Sequence, residues 1–357
     1  MTFLIAAAGT GGHVFPGLAV GEALVDMGVP RDEVIFVGGD RIESTIYPAA
    51  GFPFLGLELR GLQRSMTTRN LGLPRVMWRA RDLVVSTIRQ RRIKAALGMG
   101  GYVTVPTAMA ARKCGISFLV AEQNAGAGLA NRVTSRWARR TFTSFPTTHG
   151  LETGEWVGNP VRRALATFDR AGLREESLAR YRLDPATPVL GVFGGSLGAG
   201  ALNAAASDLS ATWEGPPLQI LHLTGTGNLP AVEAPSRAVI WRQMEFEERM
   251  DLFYAATDLV VARSGGGVAE LTATGTPSIL VPGDFGSSGH QVANAEFLRA
   301  AGAATVLSQE HIGELPDHVR ELLFNPEKLA SMAEAARRIA KPEAAMTIAA
   351  AMLEVSD

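Results

Sequence analysis

Short apolar runs alternate with helical patterns along the first 160 residues of the chain. The apolar runs are nearly continuous in hydrophobicity, as in strands of a parallel sheet that helices cover on both faces. The predicted strands are Phe3–Ala8, Glu33–Val37, Phe54–Leu59, Ala95–Met99, Ser117–Val120 and Thr141–Phe145. The predicted helices are Pro16–Met27, Ile42–Ala50, Pro74–Lys94, Val105–Cys114 and Gly126–Ala138. This half of the chain therefore predicts a doubly wound α/β domain.

The same alternation begins again in the second half. The predicted strands are Val189–Phe193, Gln219–Thr224, Ala238–Trp241, Leu259–Ala262, Ser278–Val281 and Ala304–Leu307. The predicted helices include Ala199–Leu209, Glu247–Ala256, Pro326–Ala340 and Glu343–Val355. The pattern predicts an α/β protein with two Rossmann-like, doubly wound parallel-sheet domains that face a central cleft. A ligand would bind beyond the carboxyl ends of the strands.

A domain boundary is predicted near Gly158-Asn159-Pro160, which precedes the charged stretch Asp169–Arg182. We expect a first domain over residues 1–160 and a second over residues 161–340. The remaining residues, 341–357, are expected to form a helix that packs back on the first domain.

Composition narrows the class of protein. The chain has 357 residues, of which 46% are hydrophobic and 19% charged, which fits two folded domains and argues against disorder. Its net charge of -1 argues against nucleic acid as a partner. The single cysteine, Cys114, excludes an internal disulfide, and no Cys and His residues have zinc-ligand spacing. The N-terminus lacks the basic region of a signal peptide, and no apolar stretch reaches the roughly 18 residues of a membrane span, so we expect only peripheral membrane contact.

Three glycine-rich loops follow predicted strands and open predicted helices. They are Gly9-Thr10-Gly11-Gly12-His13, Gly194-Gly195-Ser196-Leu197-Gly198-Ala199 and Arg263-Ser264-Gly265-Gly266-Gly267-Val268-Ala269-Glu270. Glycine lets the backbone approach a ligand, and the amides of a helix N-terminus suit a phosphate. A tight turn is the alternative for each loop, but the repeated device favours binding. The loops lack the GxGxxG pattern and the acidic ribose contact of an NAD-dependent oxidoreductase.

Polar side chains in and after these loops are candidates for chemistry. His13 could move a proton near neutral pH, or it could cap its turn through a backbone carbonyl. Glu270 could accept both hydroxyls of a ribose, or it could be a solvated carboxylate in the first turn of a helix. Gln291, at the start of another helix, could bind the hydroxyls of a neutral sugar or serve in a plain N-cap. Two further segments, Gly98–Tyr102 and Glu122-Gln123-Asn124, follow strands of the first domain and would face the same cleft.

The motifs taken in order resemble those of the MurG family, the GT-B enzymes of glycosyltransferase family 28. The matching segments, which run along nearly the whole chain, are GTGGHVFPGLAV, GMGGYV, EQNAGAGLANR, VGNPVR, GGSLGA, ARSGGGVAE and HQVANA. The resemblance implies an inverting transferase that moves GlcNAc from UDP-GlcNAc to the C4 hydroxyl of MurNAc in lipid I, giving lipid II for peptidoglycan. It implies no bound metal or other cofactor, and a peripheral position on the cytoplasmic face of the bacterial cell membrane.

The resemblance also assigns roles to residues. Residues 1–160 would bind the acceptor and the membrane, and residues 161–340 would bind UDP-GlcNAc. The implied contacts are Thr10, Gly11 and Gly12 with phosphates, Asn124, Arg162 and Ser196 with the nucleotide-sugar, Gly265, Gly266, Gly267 and Glu270 with pyrophosphate and ribose, and Gln291 with GlcNAc. Arg162 or Arg263 would face the charge that grows on the departing pyrophosphate. His13 is the first candidate for the general base, and Glu122 is the second.

Three departures from the family pattern lie in the donor half. Leu197 stands where the family usually has Gln, and the loop from Arg263 to Glu270 is one residue shorter than usual. Glu247 replaces the apolar residue expected near the uracil. These departures leave alternatives open: another GT-B glycosyltransferase, a UDP-GlcNAc epimerase, or a weakly active or non-catalytic protein that binds a nucleotide-sugar.

One segment, Leu71–Lys94, mixes apolar residues with cations in a way that suits an anionic bilayer surface. Trp78, Arg89, Arg91 and Arg92 are the residues that we expect to contact the membrane. The alternative is a solvated helix whose apolar face belongs to the core.

Overall fold

The computed structural model describes residues 1–59, 73–195, 198–229, 235–283 and 289–356. The chain divides into two compact units, Met1–Arg163 with Pro342–Asp357, and Ala164–Lys341. Each unit has its own parallel sheet with helices packed on it. The predicted pair of doubly wound α/β domains is therefore confirmed.

The sheet of the first unit has seven strands within the described residues. They are β1 (Thr2–Ala6), β2 (Val34–Gly38), β3 (Phe54–Gly56), β4 (Ile93–Gly98), β5 (Ser117–Glu122), β6 (Arg140–Thr143) and β7 (Glu155–Trp156). Their order is β3-β2-β1-β4-β5-β6-β7, and the paired strands are parallel. The order reverses between β1 and β4, so the loops after these two strands diverge and leave room for a ligand at the carboxyl edge.

Helices cover both faces of this sheet. They are α1 (Gly11–Asp26), α2 (Glu43–Ala49), α3 (Leu73–Arg91), α4 (Thr104–Cys114), α5 (Leu129–Thr134) and, from the end of the chain, α14 (Ala344–Glu354). The buried side chains of α14, such as Ile348 and Met352, share one core with Phe3, Ile5 and Leu24. The Ser117 hydroxyl also donates to the carbonyl of Val355, 3.0 Å away. The last helix is thus an integral layer of the first unit.

Two predicted helices end at the wrong residue. We predicted a helix to Lys94, but α3 ends at Arg91 because Arg92 has a left-handed φ of 53°, and Lys94 belongs to β4. The predicted helix at Gly126–Ala138 is shortened to α5, followed by a 3-10 turn. Its first residues form a loop instead, since the amide of Gly128 donates to Glu122 Oε2 over 3.0 Å.

The sheet of the second unit has six parallel strands within the described residues. They are β8 (Val189–Phe193), β9 (Leu218–Leu223), β10 (Val239–Met244), β11 (Leu259–Ala262), β12 (Ser278–Leu280) and β13 (Ala304–Val306). Their order is β10-β9-β8-β11-β12-β13, with the reversal between β8 and β11. The described helices are α6 (Arg163–Ala166), which spans the boundary between the units, α7 (Arg170–Tyr181), α8 (Gly200–Thr212), α9 (Met250–Ala256), α10 (Gly267–Thr274), α11 (His290–Ala300), α12 (Leu315–Leu323) and α13 (Pro326–Ile339).

The charged stretch after residue 168, for which no element was predicted, forms α7. The Asp169 side chain caps this helix by accepting the amide of Ala171 over 3.1 Å. Arg170 and Arg174 then reach Asp258 beside β11, with nitrogen–oxygen distances of 2.6 and 3.1 Å. Asp258 Oδ2 also accepts the amide of Val189 over 2.8 Å. The charges of this stretch therefore join α7 to the amino ends of β8 and β11.

Candidate functional site

The loop after β1 brings the first glycine motif to the carboxyl edge of the first sheet. Gly9 has a φ of 110°, which favours glycine, and α1 begins two residues later at Gly11. Thr10 is the extended N-cap, and its carbonyl accepts the amides of His13 and Val14. The first amides of an α-helix have no carbonyl partner within the helix, and the helix dipole makes this end positive. Thr10, Gly11 and Gly12 thus lie where an anionic group would be stabilised.

Helix α2 braces this loop with two buried side chains that the sequence analysis did not single out. Glu43 accepts the amide of Gly39 at Oε1 over 3.0 Å and that of Gly9 at Oε2 over 3.4 Å. The hydroxyl of Tyr47, one turn later, donates to the carbonyls of Ala7 and Val14. Burial, together with the nearby Glu43 charge, raises the pKa of Tyr47 well above its usual value, so this hydroxyl remains a donor.

The segment Gly98–Tyr102 packs against the same loop. A Cβ at Gly101 would lie only 2.5 Å from the Ala8 carbonyl oxygen, so this position accepts only glycine. The Tyr102 hydroxyl occupies the space that a Cβ on Gly39 would need, and it bonds to Glu43. Burial and the Glu43 charge raise the pKa of Tyr102. The loops after β1, β2 and β4 therefore meet at one buried carboxylate.

His13 lies on the first turn of α1 beside Gly100. A Cβ at Gly100 would lie 3.1 Å from His13 Cε1, so the ring is packed closely against this glycine. The Nδ1 atom of His13 lies 2.8 Å from Gln123 Oε1. The ring thus meets a side-chain amide, whereas a turn-capping role would use a backbone carbonyl. This contact joins the first turn of α1 to the segment after β5.

Glu122, at the end of β5, is only 2% exposed and is surrounded by donors. Its Oε1 accepts the amides of Gln123 and Asn124 and the side chain of Asn124, over 3.0, 3.1 and 3.3 Å. Its Oε2 accepts the amide of Gly128 and the side chain of Asn131, over 3.0 and 2.8 Å. Both oxygens of the carboxylate are thus occupied by donors from residues 123–131. We therefore interpret Glu122 as the residue that shapes the loop between β5 and α5.

Asn131 belongs to the motif EQNAGAGLANR but was not predicted as a site residue, yet its side chain contacts Glu122. Its Nδ2 donates to the Ala121 carbonyl as well as to Glu122. Its Oδ1 is buried and has no hydrogen-bond partner within the described part of the chain. The two contacts of Nδ2, with residues ten and nine positions away in sequence, hold Asn131 beside the end of β5. Buried acceptors are normally satisfied, so Oδ1 is suited to accept a ligand hydroxyl.

Arg162, the predicted contact for the nucleotide-sugar, lies beside α1 in the first unit. Its guanidinium carbon is 5.4 Å from the centre of the Phe15 ring. Burial raises the pKa of the neighbouring Glu22 on the same helix, and the Arg162 charge opposes that shift. The structure thus brings Arg162 to α1, the helix that begins with the first glycine motif.

The second glycine loop follows β8 in the second unit, and two of its residues, Ser196 and Leu197, lie outside the described residues. A Cβ at Gly198 would lie 2.3 Å from the Thr224 carbonyl oxygen, and the φ of Gly198 is 74°. The same carbonyl accepts the Asn203 side chain, whose Oδ1 lies 3.0 Å from His222 Nε2. Burial lowers the pKa of His222 to about 4, so the ring is neutral near pH 7. A buried polar network thus supports the base of this loop.

The third glycine loop joins β11 to α10. A Cβ at Gly265 would meet no atom within 4 Å, so a ligand can approach the backbone here. Gly266 is the N-cap of α10, and Gly267 is its first residue. Glu270 is half-buried in the first turn and accepts the hydroxyl of Tyr254 at Oε2 over 2.9 Å. Tyr254 is a positioning residue that the sequence analysis missed, since it lies on α9, sixteen positions away.

Arg263 and Gln291 hold neighbouring loops of the second unit together. The guanidinium of Arg263 donates to the carbonyls of Val281 and Pro282 over 3.0 Å, and to Gln309 over 2.6 Å. Gln291 Oε1 accepts the amide of Gly283 over 2.8 Å. These contacts brace the loop after β12, a role that differs from the phosphate contact predicted for Arg263. They also bring Gln291 to the same edge as the loop after β11.

Glu247, a departure from the family pattern, forms an ion pair with Arg180 inside the second unit. It is 5% exposed and accepts the hydroxyl of Tyr181 over 2.8 Å, the Arg180 guanidinium over 3.1 Å and the amide of Arg249 over 2.8 Å. Burial opposes ionisation, but these hydrogen bonds hold the pKa of Glu247 below its usual value. The apolar residue before it, Phe246, is by contrast 44% exposed to solvent. The carboxylate at this position thus anchors the loop after β10 to α7.

The described residues contain neither a cluster of metal ligands nor a membrane-spanning helix. No group of three or more His, Cys, Asp or Glu side chains among them is placed to hold a metal ion. None of the described helices is long and apolar enough to cross a membrane.

The solvent-facing side of α3 carries the residues predicted for membrane contact. Trp78 is 49% exposed, and Arg89, Arg91 and Arg92 are exposed at the end of the helix. Trp78 and Arg89 are about three turns apart and so share a face. The Arg81 guanidinium lies 3.8 Å from the centre of the Trp78 ring. The opposite face, with Val84 and Ile88, is core.

Models of one protein family match both units. The glycosyltransferase family 28 N-terminal domain matches residues 3–143, and the glycosyltransferase family 28 C-terminal domain matches residues 189–348. These matches include the three glycine loops and the strands of both sheets except β7.

Relatives match over almost the full length of the chain. A protein from Halorhodospira halophila, named UDP-N-acetylglucosamine--N-acetylmuramyl-(pentapeptide) pyrophosphoryl-undecaprenol N-acetylglucosamine transferase, is 40% identical over 363 residues, which cover 99% of this chain and 98% of that protein. A protein of the same name from Acidithiobacillus ferrooxidans is 41% identical over 362 residues, covering 98% and 97%. Among solved structures, the crystal structure of Acinetobacter baumannii MurG is similar with a TM-score of 0.75 and 28% identity, covering 99% of both chains.

Proposed function

Because this chain belongs to glycosyltransferase family 28, we propose that it transfers GlcNAc from UDP-GlcNAc to undecaprenyl-pyrophosphoryl-MurNAc-pentapeptide, or lipid I, and releases UDP. The observation that carries the proposal is the full-length identity of 40–41% to two transferases named for this reaction. The product is lipid II, a precursor of the bacterial cell wall. The geometry around His13 supports catalysis over simple binding, because a histidine whose ring is held by the Gln123 side chain lies in the first turn of a long helix.

The reaction is a single displacement with inversion at the anomeric carbon. The C4 hydroxyl of MurNAc gives its proton to His13 Nε2 while its oxygen forms a bond to C1 of GlcNAc. The bond between C1 and the β-phosphate oxygen breaks, and its electron pair leaves with UDP. Negative charge therefore grows on the pyrophosphate, where helix N-termini and a cation such as Arg162 stabilise it.

Donor binding is assigned to the second unit. The amides of Gly265, Gly266 and Gly267 at the start of α10 suit the pyrophosphate. Glu270 accepts the ribose hydroxyls, oriented by Tyr254, and Gln291 faces the GlcNAc hydroxyls. Ser196 in the loop after β8 provides a further hydroxyl for the phosphates. Arg263 acts by bracing the loop after β12.

Acceptor binding is assigned to the first unit. Thr10, Gly11 and Gly12 bind the pyrophosphate of the lipid at the positive end of α1. Asn124, whose backbone and side chain are held by Glu122, contributes an amide beside His13's partner Gln123 and contacts the transferred sugar.

Replacing Glu270 by Ala should weaken UDP-GlcNAc binding by about 1–3 kcal/mol, because the ribose loses a charged acceptor. Isothermal titration calorimetry measures this directly. Tyr254→Phe should weaken binding in the same direction but less, since Glu270 would remain without its orienting hydroxyl. Glu296, an exposed carboxylate on α11 paired with Arg299, offers a matched control as Glu296→Ala. An unchanged dissociation constant for Glu270→Ala would assign this carboxylate to the solvated alternative.

The function itself is tested by release of UDP from UDP-GlcNAc with and without lipid I or a short-chain analogue. We expect release only with the acceptor, together with a disaccharide-linked lipid product. An epimerase would change the sugar without any acceptor, and a binding protein would give no turnover. Release that is equally fast with other acceptors would point to another GT-B glycosyltransferase.

The lipid acceptor requires a place at the membrane, and we assign that contact to the exposed face of α3. Charge reversal to Glu at Arg89, Arg91 and Arg92 should weaken binding to anionic vesicles at least about tenfold, since each cation near such a surface contributes on the order of 1 kcal/mol. Transfer to a soluble acceptor analogue should be spared. Vesicle flotation with phosphatidylglycerol, and with phosphatidylcholine as the neutral lipid, measures the change.

The control for this variant reverses three exposed cations of the second unit, Arg299, Arg320 and Arg338, and so alters the net charge equally. It should float with anionic vesicles as the parent does. If the α3 variant also floats like the parent, the contact with the membrane lies on another surface. With this contact we propose a peripheral position at the cytoplasmic face of the cell membrane.

A further inference from the structure

Gln123 forms two hydrogen bonds that together determine which nitrogen of His13 carries a proton. The Oε1 atom of Gln123 lies 2.8 Å from His13 Nδ1, and its Nε2 atom donates to the Ala121 carbonyl over 2.8 Å. Gln123 is 2% exposed, so neither contact competes strongly with water. The side chain therefore links the end of β5 to the first turn of α1.

The orientation of the Gln123 amide follows from these partners. A carbonyl oxygen only accepts hydrogen bonds, so the group that faces Ala121 must be the NH2 of Gln123. The oxygen of Gln123 then faces His13, and Nδ1 of His13 must be the protonated nitrogen. The flipped amide would place the Gln123 oxygen against the Ala121 carbonyl oxygen, which are both acceptors. In the neutral imidazole the lone pair is thus on Nε2.

We propose that Gln123 is the positioning residue for catalysis, which holds His13 as the neutral Nδ1–H tautomer with Nε2 ready to accept the proton of the acceptor hydroxyl. This inference rests on the proposed function, in which His13 is the general base. Gln123 acts through His13 and has no contact with the reacting atoms in this mechanism.

The neutral amide of Gln123 affects the His13 imidazole differently from a carboxylate. A carboxylate at this position would also orient the ring, but it would stabilise the imidazolium and raise the histidine pKa by about 1–3 units. A base that is already protonated near neutral pH cannot accept the substrate proton. Gln123 orients the ring without adding a charge beside it.

Other titratable groups surround the pair but remain constant when Gln123 is changed. Glu122 precedes Gln123 and binds the β5–α5 loop, Glu43 binds the Gly9 amide from α2, and Tyr102 bonds to Glu43 from the loop after β4. Glu22 and Arg162 lie further along α1. A difference between parent and variant therefore reports the Gln123–His13 contact itself.

Two substitutions separate orientation from charge. Gln123→Met keeps the length of the side chain but removes the acceptor, and Gln123→Glu keeps an acceptor and adds a charge. Gln219 provides a matched control, because it is also fully buried and makes three hydrogen bonds, to the amide of Asp184 and the carbonyls of Asp184 and Thr187, in the second unit. Gln219→Met should lower stability without altering the pH profile of transfer.

The tautomer is measured by nitrogen NMR of protein labelled with 15N-histidine, in which His13→Asn identifies the His13 signals by their loss. We expect a protonated Nδ1 and an unprotonated Nε2 in the parent, and a mixture of tautomers in Gln123→Met. This measurement needs no substrate, so its result is independent of the proposed function. A protonated Nε2 in the parent, or the same tautomer in Gln123→Met, would overturn the inference.

Transfer kinetics across pH then test the consequence for catalysis. Gln123→Met should lower kcat at least about tenfold with little change in the KM for UDP-GlcNAc. In Gln123→Glu the rising limb of kcat/KM should move to higher pH by about 1–3 units, with activity recovering above it, because the base must be neutral. A profile that does not move in Gln123→Glu overturns the role of the neutral amide. If His13→Asn keeps parental turnover, the base assignment fails instead, while the NMR result stands by itself.

Discussion

Replacing His13 by Asn should lower the turnover number at least about 100-fold, while the fold and the affinity for UDP-GlcNAc stay close to those of the parent. Asparagine is polar and short enough for the first turn of α1, but it cannot accept the proton of the attacking hydroxyl. His13 contacts Gln123 and Gly100 in the first unit, whereas the contacts proposed for the donor's pyrophosphate and ribose, at Gly265–Gly267 and Glu270, lie in the second. The loss should therefore appear in kcat and not in donor binding.

Single-turnover transfer at saturating donor and acceptor, beside calorimetric binding of UDP-GlcNAc, measures this prediction. His149 offers a matched control in the same unit, because its side chain is exposed on a loop. His149→Asn should leave turnover and melting temperature unchanged. If His13→Asn instead loses activity only in step with its folded fraction, the histidine is a structural cap and the base is another group.

Strands were predictable in this chain because burial on both faces makes them continuously apolar. Val189–Phe193 and Leu259–Ala262 have the same bounds in sequence and structure. Helix ends were less predictable where the cause was tertiary. After the end of α3, Arg92 adopts a left-handed conformation that its residue type does not indicate. Before the start of α5, the amide of Gly128 donates to Glu122.

The site was predictable where a local pattern carries it, as in the glycine loops at Gly9 and Gly265. The residues that hold those loops were not, because their partners are distant in sequence. Glu43 lies 34 positions from Gly9, and Tyr254 lies 16 positions from Glu270. An ordinary Glu or Tyr on a helix gives no sign of such a contact until the sheet order brings the loops together.

Glu247, in the second unit, is another residue whose contacts could not be predicted from the sequence. Read from the sequence, Glu247 suggested a changed contact with the nucleotide base. In the structure its carboxylate accepts hydrogen bonds from Arg180 and Tyr181 on α7, a helix that was not predicted. The unusual carboxylate and the unusual charged stretch are thus two halves of one interaction, which sequence reasoning treated separately.

The second large effect is expected from Glu122→Gln, and it should be an effect on folding. The substitution replaces one carboxylate oxygen by an NH2 group, which then faces donors such as the Gly128 amide or the Asn131 side chain. Two buried donors lose their acceptor, at about 1–3 kcal/mol each, so the free energy of unfolding of the first unit should fall by roughly 2–6 kcal/mol. A base, in contrast, would lose turnover with little loss of stability.

Hydrogen exchange at the amides of Gln123, Asn124 and Gly128 gives the most direct measurement, because Glu122 accepts all three. Their protection should fall in Glu122→Gln, and the melting temperature of the protein should fall with it. Glu152 is the matched control, since it is exposed and accepts the amide of Gly150 over 2.8 Å and its own backbone amide. Glu152→Gln retains one oxygen as an acceptor in a solvated place and should change stability by less than about 0.5 kcal/mol. If protection is unaltered at all three amides and turnover is lost at full stability, Glu122 is the base and does not hold the loop.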